Sequence, residues 1–364
     1  MNYSEIILFI SKSLTISYEK INLAEVRDLI ISNKIDWDLF VKISTQQLVL
    51  SALYCNYEKS NLLQYLPVEL ISYMKYITDM NRDRNKKIIS QANKLNSLLR
   101  INGVSPVFLK GTACLLQGIY IDIGERLIGD IDILVSDSQF DTAVKILKEN
   151  KYKFVSSKDY HFPNFKHYPR LRSDFEISAI EIHKELIEEK FSNEFNYALV
   201  SNSILNIDDF SFLSYDYQKV LAILSAQIND YGFEYVKPNL RNTYDFFLLS
   251  KKFSTLNLNS NFKNLYKPIN CFLITNYFLL GKLDSVKFNK TRYAERYLKK
   301  FISLLNSPLK RKYHNKFVRL KIILRIRFTI ILKSFYRKDY RNWLIKRVSD
   351  KEWILRKFGN NNIN

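Results

Sequence analysis

Over residues 1–102 apolar positions recur three and four apart, as in Val26, Leu29 and Ile30 or Trp37, Phe40 and Val41. No alternating run interrupts them, so this region is expected to be helical. A long polar helix is predicted from about Asn81 to Asn102, with Ile88, Ile89, Ala92, Leu95, Leu98 and Leu99 as its buried stripe and Gly103 as its stop. The period then changes. Val104–Leu109 and Asp130–Val135 read as short strands, each followed by a helix, Thr112–Ile119 and Ser138–Asn150. After an irregular aromatic segment around Tyr160 to Tyr168, Ile177–Ile182 alternates as a further strand. Helix returns from Tyr215, most clearly at Tyr217–Gln227 and Asn239–Lys251. The pattern is a small α/β unit between helical flanks: a helical region over 1–102, an α/β core over 103–210, a helical region over 211–300 and a basic helical tail over 301–364.

Composition fits this reading. Only 8 Gly and 7 Pro in 364 residues disfavour a fold of many tight β-turns, and 14% aromatic residues exclude a disordered chain. Cys55, Cys114 and Cys271 are widely spaced in apolar surroundings, as buried reduced thiols would be. The N-terminus has no basic segment ahead of its short apolar run, so no secretory signal is read and a cytoplasmic location is expected. The most apolar window, Pro268 to Gly281, falls short of the ~20 residues a spanning helix requires and is expected to be a buried helix.

Charge changes the picture at the C-terminal end. Of the net +20, residues 282–364 supply 24 Lys and Arg against 5 Asp and Glu, whereas residues 1–281 are nearly neutral. Within the tail, Arg319, Lys321, Arg325 and Arg327 interleave with Ile322, Ile323, Leu324 and Phe328. Such a helix would pack its apolar side on the body and present cations to a polyanion, either nucleic acid or an anionic membrane surface; a solvated face with no partner is the alternative.

Five of the eight glycines fall between Gly103 and Gly129. Gly124 and Gly129 have the spacing of a phosphate-binding P-loop, but Asp130 and Ile131 stand where Lys and Ser or Thr are required, which excludes that motif. What remains is Lys110-Gly111-Thr112 at a strand-to-helix turn and Asp130-Ile131-Asp132 on the next strand. Strand alternation puts Asp130 and Asp132 on one face, where a hard divalent ion would relieve their repulsion. On the strand Ala179-Ile180-Glu181-Ile182-His183, Glu181 shares its face with His183 and is the candidate third ligand. His183 is read as a hydrogen-bonded neighbour of the site. Lys110 either binds phosphate or caps its strand; Arg126 either reaches a triphosphate or neutralises the acidic cluster. Arg241 and Asp245 are read as an i,i+4 helix pair.

These residues resemble the nucleotidyltransferase superfamily that pairs a glycine turn with a DxD strand and a later strand carboxylate. More narrowly, Leu109-Lys110-Gly111, Arg126 followed by Asp130-Ile131-Asp132-Ile133-Leu134-Val135, and Glu181-Ile182-His183 are similar to an uncharacterised bacterial nucleotidyltransferase family with LKG, RxxxDIDLLV and carboxylate-x-His elements. Thr112 stands where the superfamily favours Gly or Ser, and Gln227 where the narrower family has His. The resemblance implies an α+β fold, with a short mixed sheet and its helices embedded between helical regions. It implies transfer of a nucleoside monophosphate from an NTP, ATP among them, with release of pyrophosphate. Asp130, Asp132 and Glu181 would hold two Mg²⁺ ions, with Mn²⁺ as an alternative metal, and Lys110, Gly111, Thr112 and Arg126 would bind the nucleotide. The acceptor is open: an RNA end suits the basic tail, a sugar phosphate, glycan or protein hydroxyl suits the neutral body. A non-catalytic module that binds nucleic acid or an anionic membrane is the alternative class.

Overall fold

The computed structural model describes residues 1–155, 162–163, 166–253, 262–281 and 289–350; Tyr160, His161 and the Asn-rich end lie outside them. Five helices come first: α1 (Tyr3–Ser13), α2 (Lys20–Ile31), α3 (Trp37–Gln46), α4 (Leu50–Lys59) and α5 (Val68–Ile101). Helix α5 begins at Val68 rather than near Asn81. Its buried stripe continues backward through Asn85, Asn81, Thr78, Met74 and Leu70, and the polar residues in it break the apolar period that sequence alone relies on. It stops as expected. Gly103 takes φ +77°, its N–H bonds the carbonyl of Arg100, and the N–H of Val104 bonds the carbonyl of Leu99.

The mixed unit follows: β1 (Val107–Phe108), α6 (Lys110–Leu116), β2 (Ile131–Leu134), α7 (Asp137–Glu149), β3 (Lys153–Phe154), β4 (Leu171–Arg172), β5 (Ile180–His183), α8 (Tyr197–Ser201), β6 (Leu205–Ile207) and β7 (Phe210–Phe212). Its strands form one sheet in the order β3-β4-β5-β2-β1-β7-β6. Central strands β2 and β5 run parallel, as do β1 and β7, while the remaining pairs are antiparallel. Strands of two or three residues, such as β6 and β7, are too short to display an alternation, which is why the pattern does not announce them. Ile131, Ile133, Ile180 and Ile182 are fully buried, so the core face of β2 and β5 is as anticipated.

Helices α9 (Tyr215–Leu224), α10 (Gly232–Tyr235), α11 (Leu240–Lys252), α12 (Tyr266–Leu280), α13 (Arg292–Asn306), α14 (Pro308–Tyr336) and α15 (Lys338–Ser349) complete the chain, with a π-helical turn at Ser225–Asn229 behind α9. The fold is the expected α+β arrangement of a small mixed sheet between helical regions. Helix α12, the most apolar window, is buried against α13 and α1. All three cysteines are free and buried. Among the described residues no helix is long and apolar enough to cross a membrane. The tail differs from expectation: only Val318, Ile322 and Ile330 of α14 are buried, and its larger apolar side chains face outward.

The α5 stop is directly testable. A methyl group at position 103 would meet no neighbour, so Gly103→Ala should lose only the cost of forcing an L-residue into the left-handed region, about 1 kcal/mol. Urea unfolding of the two proteins measures it.

Candidate active site

The parallel ladder sets Asp132 directly opposite Glu181 and Leu134 opposite His183. With the isoleucines turned inward, Asp132, Glu181 and His183 share the other face. Their ligand atoms all lie within 4.8 Å of one another, and the two carboxylates with one imidazole suit a divalent cation. His183 Nε2 is 2.8 Å from Asp132 Oδ1 and 3.4 Å from Glu181 Oε2, while its Nδ1 donates to the carbonyl of Glu185 at 3.3 Å. A ring held through Nδ1 on a carbonyl presents Nε2 for coordination. His183 thus hydrogen-bonds within the site, as a neighbour of it would, and its Nε2 also lies among the candidate ligand atoms. His167 bonds the carbonyl of Tyr168 through Nδ1 and brings Nε2 to 3.5 Å from Glu181 Oε2.

Cations from separate elements offset this buried negative charge. Lys110 Nζ lies 2.5 Å from Asp132 Oδ1, and Arg170 reaches Asp130 at 3.4 Å and Glu181 at 3.2 Å. Lys110 occupies the left-handed region at φ +53°, a conformation costing an L-residue about 1–2 kcal/mol. Its neighbour Leu109 is fixed there by an N–H bond to the carbonyl of Asp132. Burial raises the Asp132 carboxyl, but the Lys110 ammonium and the His183 ring outweigh it and hold the group well below the usual carboxylate range. Asp130, just ahead of β2, goes the other way: burial raises it, Arg170 opposes, and Glu181 and Asp132 add to the rise. Burial, partly opposed by Glu181 and reinforced by His183, pushes His167 down to about 4.

The loop leading into β2 is clamped from two sides. From α5, Asn81 bonds the carbonyl of Gly124, Asn85 the carbonyls of Ile123 and Arg126, Arg82 the Asp122 carboxylate, and Arg84 the carbonyls of Ile128 and Gly129. From α11, buried Asp245 takes Arg126 in a two-pronged pair at 2.9–3.1 Å and accepts the Tyr120 hydroxyl at 2.7 Å. Arg126 thus balances Asp245 rather than Asp130 and Asp132, and Asp245 pairs with Arg126 rather than with Arg241 on its own helix. Gly111 lies beneath this loop: a Cβ there would stand 2.7 Å from Ile128 and 3.4 Å from Arg126. Thr112 is buried, its hydroxyl turned to the carbonyl of Asp130 at 3.4 Å.

Beyond Lys110 opens a cavity of about 100 Å³ whose lining includes Lys110, Lys166, Arg126 and Arg241 against Asp230 and Asp245, with Ser225 and Asn229 of the π-helical turn on another wall. Burial and the nearby Lys110 charge lower Lys166; burial and the nearby Arg126 charge lower Arg241. Both are crowded cations. Lys166 carried no sequence signal, since it sits in irregular chain with no period. Gln227 is buried within the π-helical turn. Of the tail cations, Arg325 and Lys321 lie 2.5 and 3.5 Å from Glu234, and Arg319 and Arg327 stay exposed.

The parallel strand pair thus carries an aspartate–glutamate–histidine group beside a cation-lined cavity. Residues 33–280 match the family described as uncharacterised nucleotidyltransferase, and the chain belongs to it. No curated protein and no solved structure matches the chain.

The opposite shifts of the two aspartates predict opposite variants. A raised Asp130 means that the fold disfavours its charge at neutral pH, so Asp130→Asn should raise the melting temperature without metal, a gain that fades as pH falls through the ordinary carboxylate range and wild type also becomes neutral there. A depressed Asp132 contributes stability above its unfolded value, lost only as pH falls through the folded one. Asp132→Asn should therefore cost about 3 kcal/mol at pH 7 by leaving Lys110 unpaired. Thermal scans of both variants across pH distinguish them. Arg126→Ala, which strands the Asp245 carboxylate, should cost about 3–5 kcal/mol in urea unfolding.

Proposed function

We infer that this protein transfers a nucleoside monophosphate from an NTP to a hydroxyl-bearing acceptor and releases pyrophosphate, with Mg²⁺ or Mn²⁺ as its metal. The observation that carries this reading is the continuity of the two halves of the site: Lys110 belongs to the cationic cavity and also touches Asp132. Asp132, Glu181 and His183 would hold a divalent cation, and Asp130 with Asp132 would be the carboxylates offered to a second one. A cation bound there supplies Lewis-acid stabilisation of phosphoryl oxygens and acidifies the attacking hydroxyl. Lys110, Lys166 and Arg241 bind and orient the phosphates, by direct charge and donor contacts. Arg126 acts through Asp245, keeping the loop before Asp130 in place. In the transfer the acceptor oxygen forms its bond to the α-phosphorus, the bond from that phosphorus to the bridging oxygen breaks, and the hydroxyl proton passes to a site carboxylate. An RNA end is the leading acceptor on charge grounds, because the basic excess extends over α13 and α15 as well as α14, with glycan and protein hydroxyls as alternatives.

Calorimetry with each NTP and metal tests binding: Lys166→Ala or Arg241→Ala should weaken it on the order of tenfold, and Asp132→Ala should abolish its metal dependence. Incubation of the full chain with α-labelled NTPs, Mg²⁺ or Mn²⁺ and a host lysate tests transfer. Metal-dependent label in RNA, lost with Asp130→Ala, is the expected result. Label in glycan or protein would retain the enzyme and replace the acceptor. Label in no fraction with either metal would overturn transfer in favour of a binding module.

A further inference from the structure

Helix α14 is 29 residues long, about 43 Å at the helical rise. At 100° per residue, Phe317, Leu320, Leu324, Phe328, Ile331 and Phe335 fall within an arc of about 80°. All six are exposed, by 48–76%. The buried residues Val318, Ile322 and Ile330 lie on the other side, and Arg325 and Lys321 tie the helix to Glu234 of α10. The molecule therefore holds α14 against its body with a continuous apolar stripe turned outward. Lys316 and Arg327 run along one border of that stripe and Lys310 along the other. The helix carries nine Lys and Arg and no acidic residue.

We propose that the outward face of α14 docks on an anionic membrane surface, the helix lying in the plane of the bilayer with Phe317, Phe328 and Phe335 inserted among the acyl chains and its bordering cations at the head groups. This goes beyond the transfer chemistry and does not depend on it. Charge and apolarity together select the occupant. A second copy of the chain would bring the same cations against one another with no acidic partner on either helix. The segment 351–364 has Lys351, Arg356 and Lys357 against Glu352 alone, so it too is of the wrong sign. A nucleic acid would satisfy the cations but not Leu320, Leu324 and Ile331, which neither stack on bases nor contact phosphate. An anionic bilayer satisfies both: apolar side chains enter the boundary between head groups and chains, and Lys and Arg extend outward to lipid phosphates.

The test uses the full-length protein and vesicles of phosphatidylcholine with or without phosphatidylglycerol. Sedimentation should show binding to the anionic vesicles, weakened by salt, and little to the neutral ones. The double variant Phe317→Asp/Phe328→Asp, at solvent-exposed positions, should lower partitioning by about tenfold or more with unchanged circular dichroism and melting temperature. Lys316→Glu/Arg327→Glu should also weaken binding and flatten its salt dependence. In Phe328→Trp, the introduced indole should be quenched by brominated acyl chains. No sedimentation with anionic vesicles at low salt would overturn the proposal, as would binding without bromine quenching. So would binding that the Asp variant leaves unchanged, or RNA binding that the Asp variant weakens while vesicles do not compete. A dimer that the Asp variant dissociates, with no vesicle binding, would assign the face to a second copy and likewise overturn it.

Discussion

The pairing of β2 with β5 places Asp132 across from Glu181, and the surrounding structure is organised around that juxtaposition. Two carboxylates sharing a half-enclosed face repel unless positive charge reaches them. Here it arrives from Lys110 in the turn after β1 and from Arg170 in the chain before β4, while ring nitrogens of His183 and His167 lie beside Glu181. The left-handed backbone at Lys110 fits this picture, since it carries the ammonium to Asp132 while Leu109 remains bonded to the same residue's carbonyl. Strain at one residue is held by two contacts to another.

The approach to β2 is just as constrained. Residues 120–129 have little regular structure of their own, so their carbonyls and carboxylates must find partners elsewhere. Helix α5 supplies amides and guanidinium groups on one side, and α11 supplies the Asp245 carboxylate on the other. This clamp explains why Asn81 and Asn85 are buried in the middle of a long helix, a place asparagine otherwise disfavours. It also separates the two basic residues that border the cavity from α11 and the loop. Arg126 is committed to a buried ion pair, whereas Arg241 lies beside it as a second, crowded cation.

The basic tail combines two properties that composition reports only as one number. Its charge excess is spread over α13, α14 and α15, but the outward apolar stripe is confined to one side of α14. Glu234 draws Lys321 and Arg325 inward and so sets the rotation of the helix about its axis. That rotation decides which side chains meet solvent.

What was readable from the sequence was whatever repeats over a few residues. The alternation of isoleucine with acidic residues at 130–135 and 179–183 determines that Asp132, Glu181 and His183 oppose a buried face, and Gly103 determines where α5 ends, because strand parity and the left-handed cap are local properties of the backbone. The charge asymmetry was equally plain. The register that brings Asp132 to Glu181, the attachment of Arg126 to Asp245 and the entry of Lys166 into the cavity were not. Each joins residues dozens to more than a hundred positions apart, in some cases through irregular chain that has no period to read. The direction of α14 was hidden for a related reason: an amphipathic helix with apolar residues on both sides fits the same spacing in either orientation, and only its ion pairs and packing against the body select one.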